Sequence, residues 1–126
     1  MPKLTIDGKT SEVDQGKRLV LAIEESGVRI GHRCGGQARC TTCRVEFVEG
    51  EPDTMTQAEY DKLNERGLYG QARLSCQIIC DHEMSVHPMK TAENTPEWNG
   101  DTGPAPAATV EPKAEWIPIH ILKQGV

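Results

Sequence analysis

Three cysteines fall within the twelve residues RCGGQARCTTCR, Arg33 to Arg44, and a fourth follows at Cys76 in RLSCQ. The spacing is C-x5-C-x2-C-x32-C, with Cys80 left over. A compact two-metal cluster needs two thiolates per metal, all converging on one point. A loop wrapped around it can supply most of them, and a second segment closes the open side. Gly35 and Gly36 suit such a loop, because backbone without Cβ can approach a bound group closely and turn its N–H groups toward it. Thr41 and Thr42 carry hydroxyls that are further candidate donors.

The compartment narrows the choice. The longest uninterrupted apolar run, Leu19 to Ile23, is far too short to span a bilayer, and the N-terminus lacks the basic-then-apolar pattern of an export signal. Clustered cysteines in a cytoplasmic, reducing setting read as metal ligands rather than disulfides. A four-thiolate zinc site is one reading, although zinc sites usually show two short cysteine pairs and this chain has one tight pair. A [2Fe–2S] cluster is the other, since the pattern is the C-x4-C-x2-C…C run with one residue inserted. The formal charge of −5 argues against a nucleic-acid binder, which would need a basic patch to neutralise phosphates. Only five aromatic residues are present, so a bound metal group can add stability that a thin core lacks.

The flanking sequence predicts a mixed fold. KLTIDGKTSEV alternates on both sides of Asp7-Gly8, a tight-hairpin signature. KRLVLAIEESG has helical spacing and a terminal Gly27. CRVEFVEG reads as a strand ending at Gly50. MTQAEYDKLNERGL predicts a helix with a Thr56/Glu59 capping box, a Met55/Tyr60 hydrophobic staple and a stop at Gly67. ARLSCQII and MSVHP read as two short strands. Strands and helices mixed without regular βαβ alternation indicate the α+β class. From Pro88 onwards lie six of the eight prolines. The expected division is therefore a domain over 1–90 and a proline-rich extension over 91–126. That extension ends in the apolar segment EWIPIHIL. Its apolar side chains predict packing on the domain or on a neighbouring chain, which allows a homodimer through the tail. Pro118 would confine any strand there to an edge.

HRCGGQARCTTCRVEF and RLSCQII resemble the cluster-binding segments of [2Fe–2S] ferredoxins. The x5 loop is similar to the adrenodoxin-like and bacterial branch rather than the plant-type branch. The resemblance covers about residues 1–90. It implies a β-grasp (ubiquitin-like) fold, a [2Fe–2S] cluster near the surface, and Cys34, Cys40, Cys43 and Cys76 as its ligands. It also implies one-electron transfer between a reductase and an acceptor protein. The sequence itself shows no nucleophile–base pair and no nucleotide-binding glycine motif, so a carrier without an enzymatic step is expected, and its charge and short apolar runs lead us to expect no nucleic-acid or membrane partner. The sequence departs from adrenodoxin in its second helix, where Lys62 and Arg66 dilute Glu59, Asp61 and Glu65. Residues 1–90 hold twelve Lys and Arg against fourteen Asp and Glu, a formal −2, so electrostatic steering toward a basic partner should be weak.

Other residues have simpler readings. Cys80 reads as a small buried apolar side chain. Glu59, Asp61 and Glu65 read as the wet face of a helix, which in the family also helps to dock partners. Arg33, Arg39 and Arg44 read as solvated charge or as partial neutralisation of an anionic cluster. His32 and His82 would be needed as a pair for a Rieske centre, while His32 alone can tune potential by its charge. An alternative function is a redox or oxygen sensor that regulates a partner through the tail.

Overall fold

The computed structural model describes residues 2–32, 42–91, 94–95, 110 and 116–118. Strands β1 (Lys3–Ile6) and β2 (Lys9–Glu12) pair antiparallel around Asp7-Gly8. Asp7 has φ 49° and Gly8 φ 86°, the two left-handed positions a tight hairpin turn requires. Leu4 and Ile6 are buried, while every β2 residue is exposed. β2 is thus a polar edge strand, which discourages pairing with another chain. β3 (Lys17–Arg18) runs into α1 (Leu19–Glu25), whose Leu19, Val20, Ala22 and Ile23 are buried.

The chain continues through β4 (Arg44–Glu49), β5 (Thr54–Thr56), α2 (Gln57–Glu65) and β6 (Arg73–Leu74). A 3-10 turn at Ser75–Gln77, β7 (Ile79–Cys80), β8 (Met84–Pro88) and β9 (Trp116–Pro118) follow. The main sheet has the order β2-β1-β8-β4-β6, with β1 and β8 parallel and its other pairs antiparallel. Two small ribbons, β3–β7 and β5–β9, flank it. One apolar core joins Leu19, Val20 and Ile23 of α1 to Leu4, Val45, Leu74, Met84 and Val86 of the sheet. This is the α+β, β-grasp arrangement.

Three local expectations are corrected. ARLSCQII is not one strand: the 3-10 turn divides it into β6 and β7. The Ser75 N–H and Oγ both donate to the Cys43 carbonyl, at 3.2 and 2.7 Å, and this draws the backbone out of extension. The capping box is half formed. Thr56 Oγ1 accepts the Glu59 N–H at 3.1 Å, but the Glu59 carboxylate is taken by Arg73 and by the Leu74 N–H. Glu59 therefore does not belong to the wet face of α2; it is fully buried. A buried guanidinium is a stronger partner for a carboxylate than one orphan N–H at a helix start.

The chain remains tied down beyond Pro88. The Gly31 N–H donates to the Lys90 carbonyl at 3.0 Å, Ile30 bridges Thr91, and Thr95 is buried. Of the apolar terminal segment, Trp116–Pro118 form β9, antiparallel to β5. Pro118 thus lies on a ribbon edge, Ile117 packs against the core and Trp116 is 42% exposed. Ile119, Ile121 and Leu122 lie outside the described residues.

Candidate metal centre

Cys76 sits in the 3-10 turn with no exposed surface, and Cys43 immediately precedes β4 and is 1% exposed. Ser75 brings their backbones together through its two bonds to the Cys43 carbonyl. The β4–β6 register, Arg44 opposite Leu74, continues the same approach. Two cysteines distant in sequence are therefore adjacent through sheet pairing. Cys34 and Cys40, with Gly35, Gly36, Thr41, Arg33 and Arg39, lie outside the described residues.

Four elements hold the Cys76 turn. From β3, where it caps α1, the buried Arg18 donates Nε and Nη2 to the Cys76 carbonyl at 3.1 and 2.6 Å. From the turn that leads into β4 comes the Cys43 carbonyl. From α2, Glu59 accepts the Leu74 N–H at 2.8 Å and thereby fixes the strand that enters the turn. From the end of β5, Thr56 Oγ1 donates to Gln77 Oε1 at 2.7 Å, and Gln77 Nε2 donates to Cys76 Sγ at 3.6 Å.

The Glu59–Arg73 pair is the rigid part of this support. Arg73 Nε and Nη2 reach the Glu59 carboxylate at 2.8 and 3.1 Å. Its remaining donors reach the carbonyls of Pro52 and Thr54 and the Glu51 carboxylate. Burial pushes the Glu59 carboxyl up, against the pull of the Arg73 charge and hydrogen bonds. With three donors on its two oxygens, the carboxylate is compensated rather than isolated.

The histidines part company. His32, 3% exposed, has Nε2 at 3.0 Å from Glu24 of α1. His82 sets Nε2 at 2.7 Å from the Gly50 carbonyl and Nδ1 at 2.6 Å from Asp81. Each is engaged with a different part of the fold, and neither contact involves the other ring. Cys80 is 1% exposed in β7, and burial pushes its thiol up to about 12. Such a thiol behaves as a small apolar side chain.

The donor set fits an iron–sulfur cluster. An amide N–H within reach of a buried sulfur bonds more strongly to a charged, metal-bound thiolate than to a neutral thiol. Sequence reasoning missed Arg18, Ser75, Gln77 and Arg73 as supports, and it assigned Thr56 only its capping role. Their one legible signal was position: a charged residue at the start of an apolar run (Arg18), or a polar residue close to Cys76 in ARLSCQII.

The model of the 2Fe-2S iron-sulfur cluster binding domain matches residues 4–81. The chain belongs to this family. Its cofactor is a [2Fe–2S] cluster. In structure it is similar to the ISC-like [2Fe-2S] ferredoxin of Pseudomonas putida, with a TM-score of 0.60 and 28% identity, over 71% of this chain and 94% of that one. It is also similar to a chain of the covalent putidaredoxin reductase–putidaredoxin complex, with a TM-score of 0.55 and 30% identity, over 68% of this chain and 96% of that one. In sequence it is 33% identical over 94 residues to one component of the Na(+)-translocating NADH-quinone reductase of Chlamydia felis, 75% of this chain. The chain spans 22% of the length of that relative.

Proposed function

We propose that this chain is a one-electron carrier between a reductase and an acceptor protein, with Cys34, Cys40, Cys43 and Cys76 as the cluster ligands. The observation that supports Cys43 and Cys76 is that both are buried and their backbones are joined through Ser75, with an N–H donor on the Cys76 sulfur; Cys34 and Cys40 complete the set by their spacing in the sequence. When bound, the cluster supplies the one-electron chemistry. The chain's residues exclude water from the two sulfurs, clamp the Cys76 carbonyl with Arg18, and place a buried positive charge beside an anionic group.

Likeness to putidaredoxin bound to its reductase supports a protein partner on the donor side. Likeness to one segment of a much longer quinone reductase component supports the same chemistry as one step in an electron chain. The carrier reading assigns this chain no substrate turnover of its own, and its cysteine usage favours a reducing, cytoplasmic setting. Residues 1–90 act as the redox domain and 91–126 as an extension. The near-balanced charge of 1–90 points to partners docked by shape and apolar contact more than by long-range attraction.

The test is the protein purified without oxygen. Two irons and two sulfides per chain, a red-brown spectrum, and a one-electron EPR signal after dithionite are expected. Serine at any one of Cys34, Cys40, Cys43 or Cys76 should remove or change that signature, whereas Cys80→Ser should keep it. Stoichiometric zinc in a colourless protein, with no iron taken up on reconstitution, would overturn the proposal.

A further inference from the structure

We propose that Gln77, oriented by Thr56, sets the reduction potential of this protein by donating its amide N–H to the Cys76 sulfur. The inference rests on Cys76 being a cluster ligand. Its basis is a directed chain of three hydrogen bonds, all of whose side chains are buried. Thr56 is the N-cap of α2, and its Oγ1 accepts the Glu59 N–H at 3.1 Å. With that lone pair engaged, the hydroxyl hydrogen is directed elsewhere, and Gln77 Oε1 lies 2.7 Å away. In this bond the hydroxyl donates and the amide oxygen of Gln77 accepts. The NH2 end is then turned to Cys76 Sγ at 3.6 Å. Thr56, Gln77 and Cys76 are 1%, 0% and 0% exposed, so water does not compete for these groups.

The direction of the effect follows from charge. Adding an electron makes the cysteinyl sulfurs more negative, and an N–H aimed at one of them stabilises the reduced state more than the oxidised state. The low local dielectric strengthens that preference. Gln77 is therefore a positioning and tuning residue, and Thr56 acts through it. Thr56 also stands opposite Trp116 in the β5–β9 register, so the residue that orients Gln77 is held between the α2 terminus and the tail strand.

The experiment is an anaerobic redox titration of holoprotein, with each sample first shown to hold two irons and two sulfides. Gln77→Met keeps side-chain length and removes the donor. At fixed solution potential its reduced-to-oxidised ratio should fall by up to about tenfold, about 59 mV for one electron. Thr56→Val should lower the ratio in the same direction by less, and Thr56→Ser, which keeps the hydroxyl, should restore it. A fully loaded Gln77→Met protein with the wild-type midpoint overturns the inference. If that variant fails to assemble, equal midpoints for Thr56→Val and Thr56→Ser overturn it equally. Failure of the underlying ligand assignment looks different: Cys76→Ala would retain an unaltered [2Fe–2S] spectrum.

Discussion

Glu59 shows how far one side chain's surroundings can reassign it. Its place in a capping box and on a polar helix predicts a solvated carboxylate, yet it is buried and paired with Arg73 and the Leu74 N–H. Removing one partner from such a pair leaves the other charge buried and uncompensated, at a cost of about 3–5 kcal/mol. Glu59→Gln or Arg73→Met should therefore lower the thermal midpoint of the holoprotein by roughly ten degrees or more. The double variant Glu59→Leu/Arg73→Met should recover much of that loss, because no lone charge remains. Additive losses in the double variant would show that the ion pair is not the source of the effect. The pair was hidden in the sequence because the stretch between its members reveals nothing about which faces meet.

Between elements, the turn from β7 to β8 is clamped to the end of β4. Gly50 has φ 78°, and a Cβ there would lie 2.3 Å from the Glu83 carbonyl oxygen, so only glycine fits where β4 ends. His82 donates across this junction to the Gly50 carbonyl, with Asp81 on its other nitrogen. Both ring nitrogens face acceptors, so only the protonated ring donates to both. The bond to the Gly50 carbonyl accordingly raises the His82 pKa above its ordinary 6.5, against the opposing effect of burial, and Asp81 adds to the rise. A raised folded-state pKa means the stabilisation is complete below 6.5 and is lost as pH rises through the folded value. The ring is 43% exposed, so solvent screening keeps the effect small. Thermal midpoints at about pH 6 and about pH 8.5 should differ more in the wild type than in His82→Gln. An identical pH dependence in the two proteins would rule out the clamp as its cause.

For the whole molecule, the C-terminal extension supplies β9, a strand late in the chain that completes a ribbon with the much earlier β5. β9 pairs with β5, and Trp116 borders a cavity of about 250 Å³ with Pro52, Thr54, Ile78, Ile79 and Asp81. Deleting residues 96–126 should leave the [2Fe–2S] spectrum intact, since no proposed ligand lies there. The deletion should lower stability by about 1 kcal/mol, the scale of one half-buried isoleucine. It should also increase binding of an apolar dye at the uncovered groove. An unchanged midpoint and unchanged dye binding would show that β9 adds nothing to the domain. Among the described residues, no helix is long and apolar enough to cross a membrane.

The local chemistry was legible without coordinates. The Asp7-Gly8 hairpin, both helices and the strand after Cys43 follow from turn residues, caps and apolar periods that act over a few positions. The cysteine spacing, read with RLSCQ, was enough to point to the cofactor. Only the tertiary structure decided what surrounds Cys76. Arg18, Thr56, Glu59 and Cys43 reach that turn from four elements separated by up to 58 positions in the chain. Hydrogen bonds between such distant residues depend on which faces pack together. That is a property of the whole core, and no short window of residues carries it.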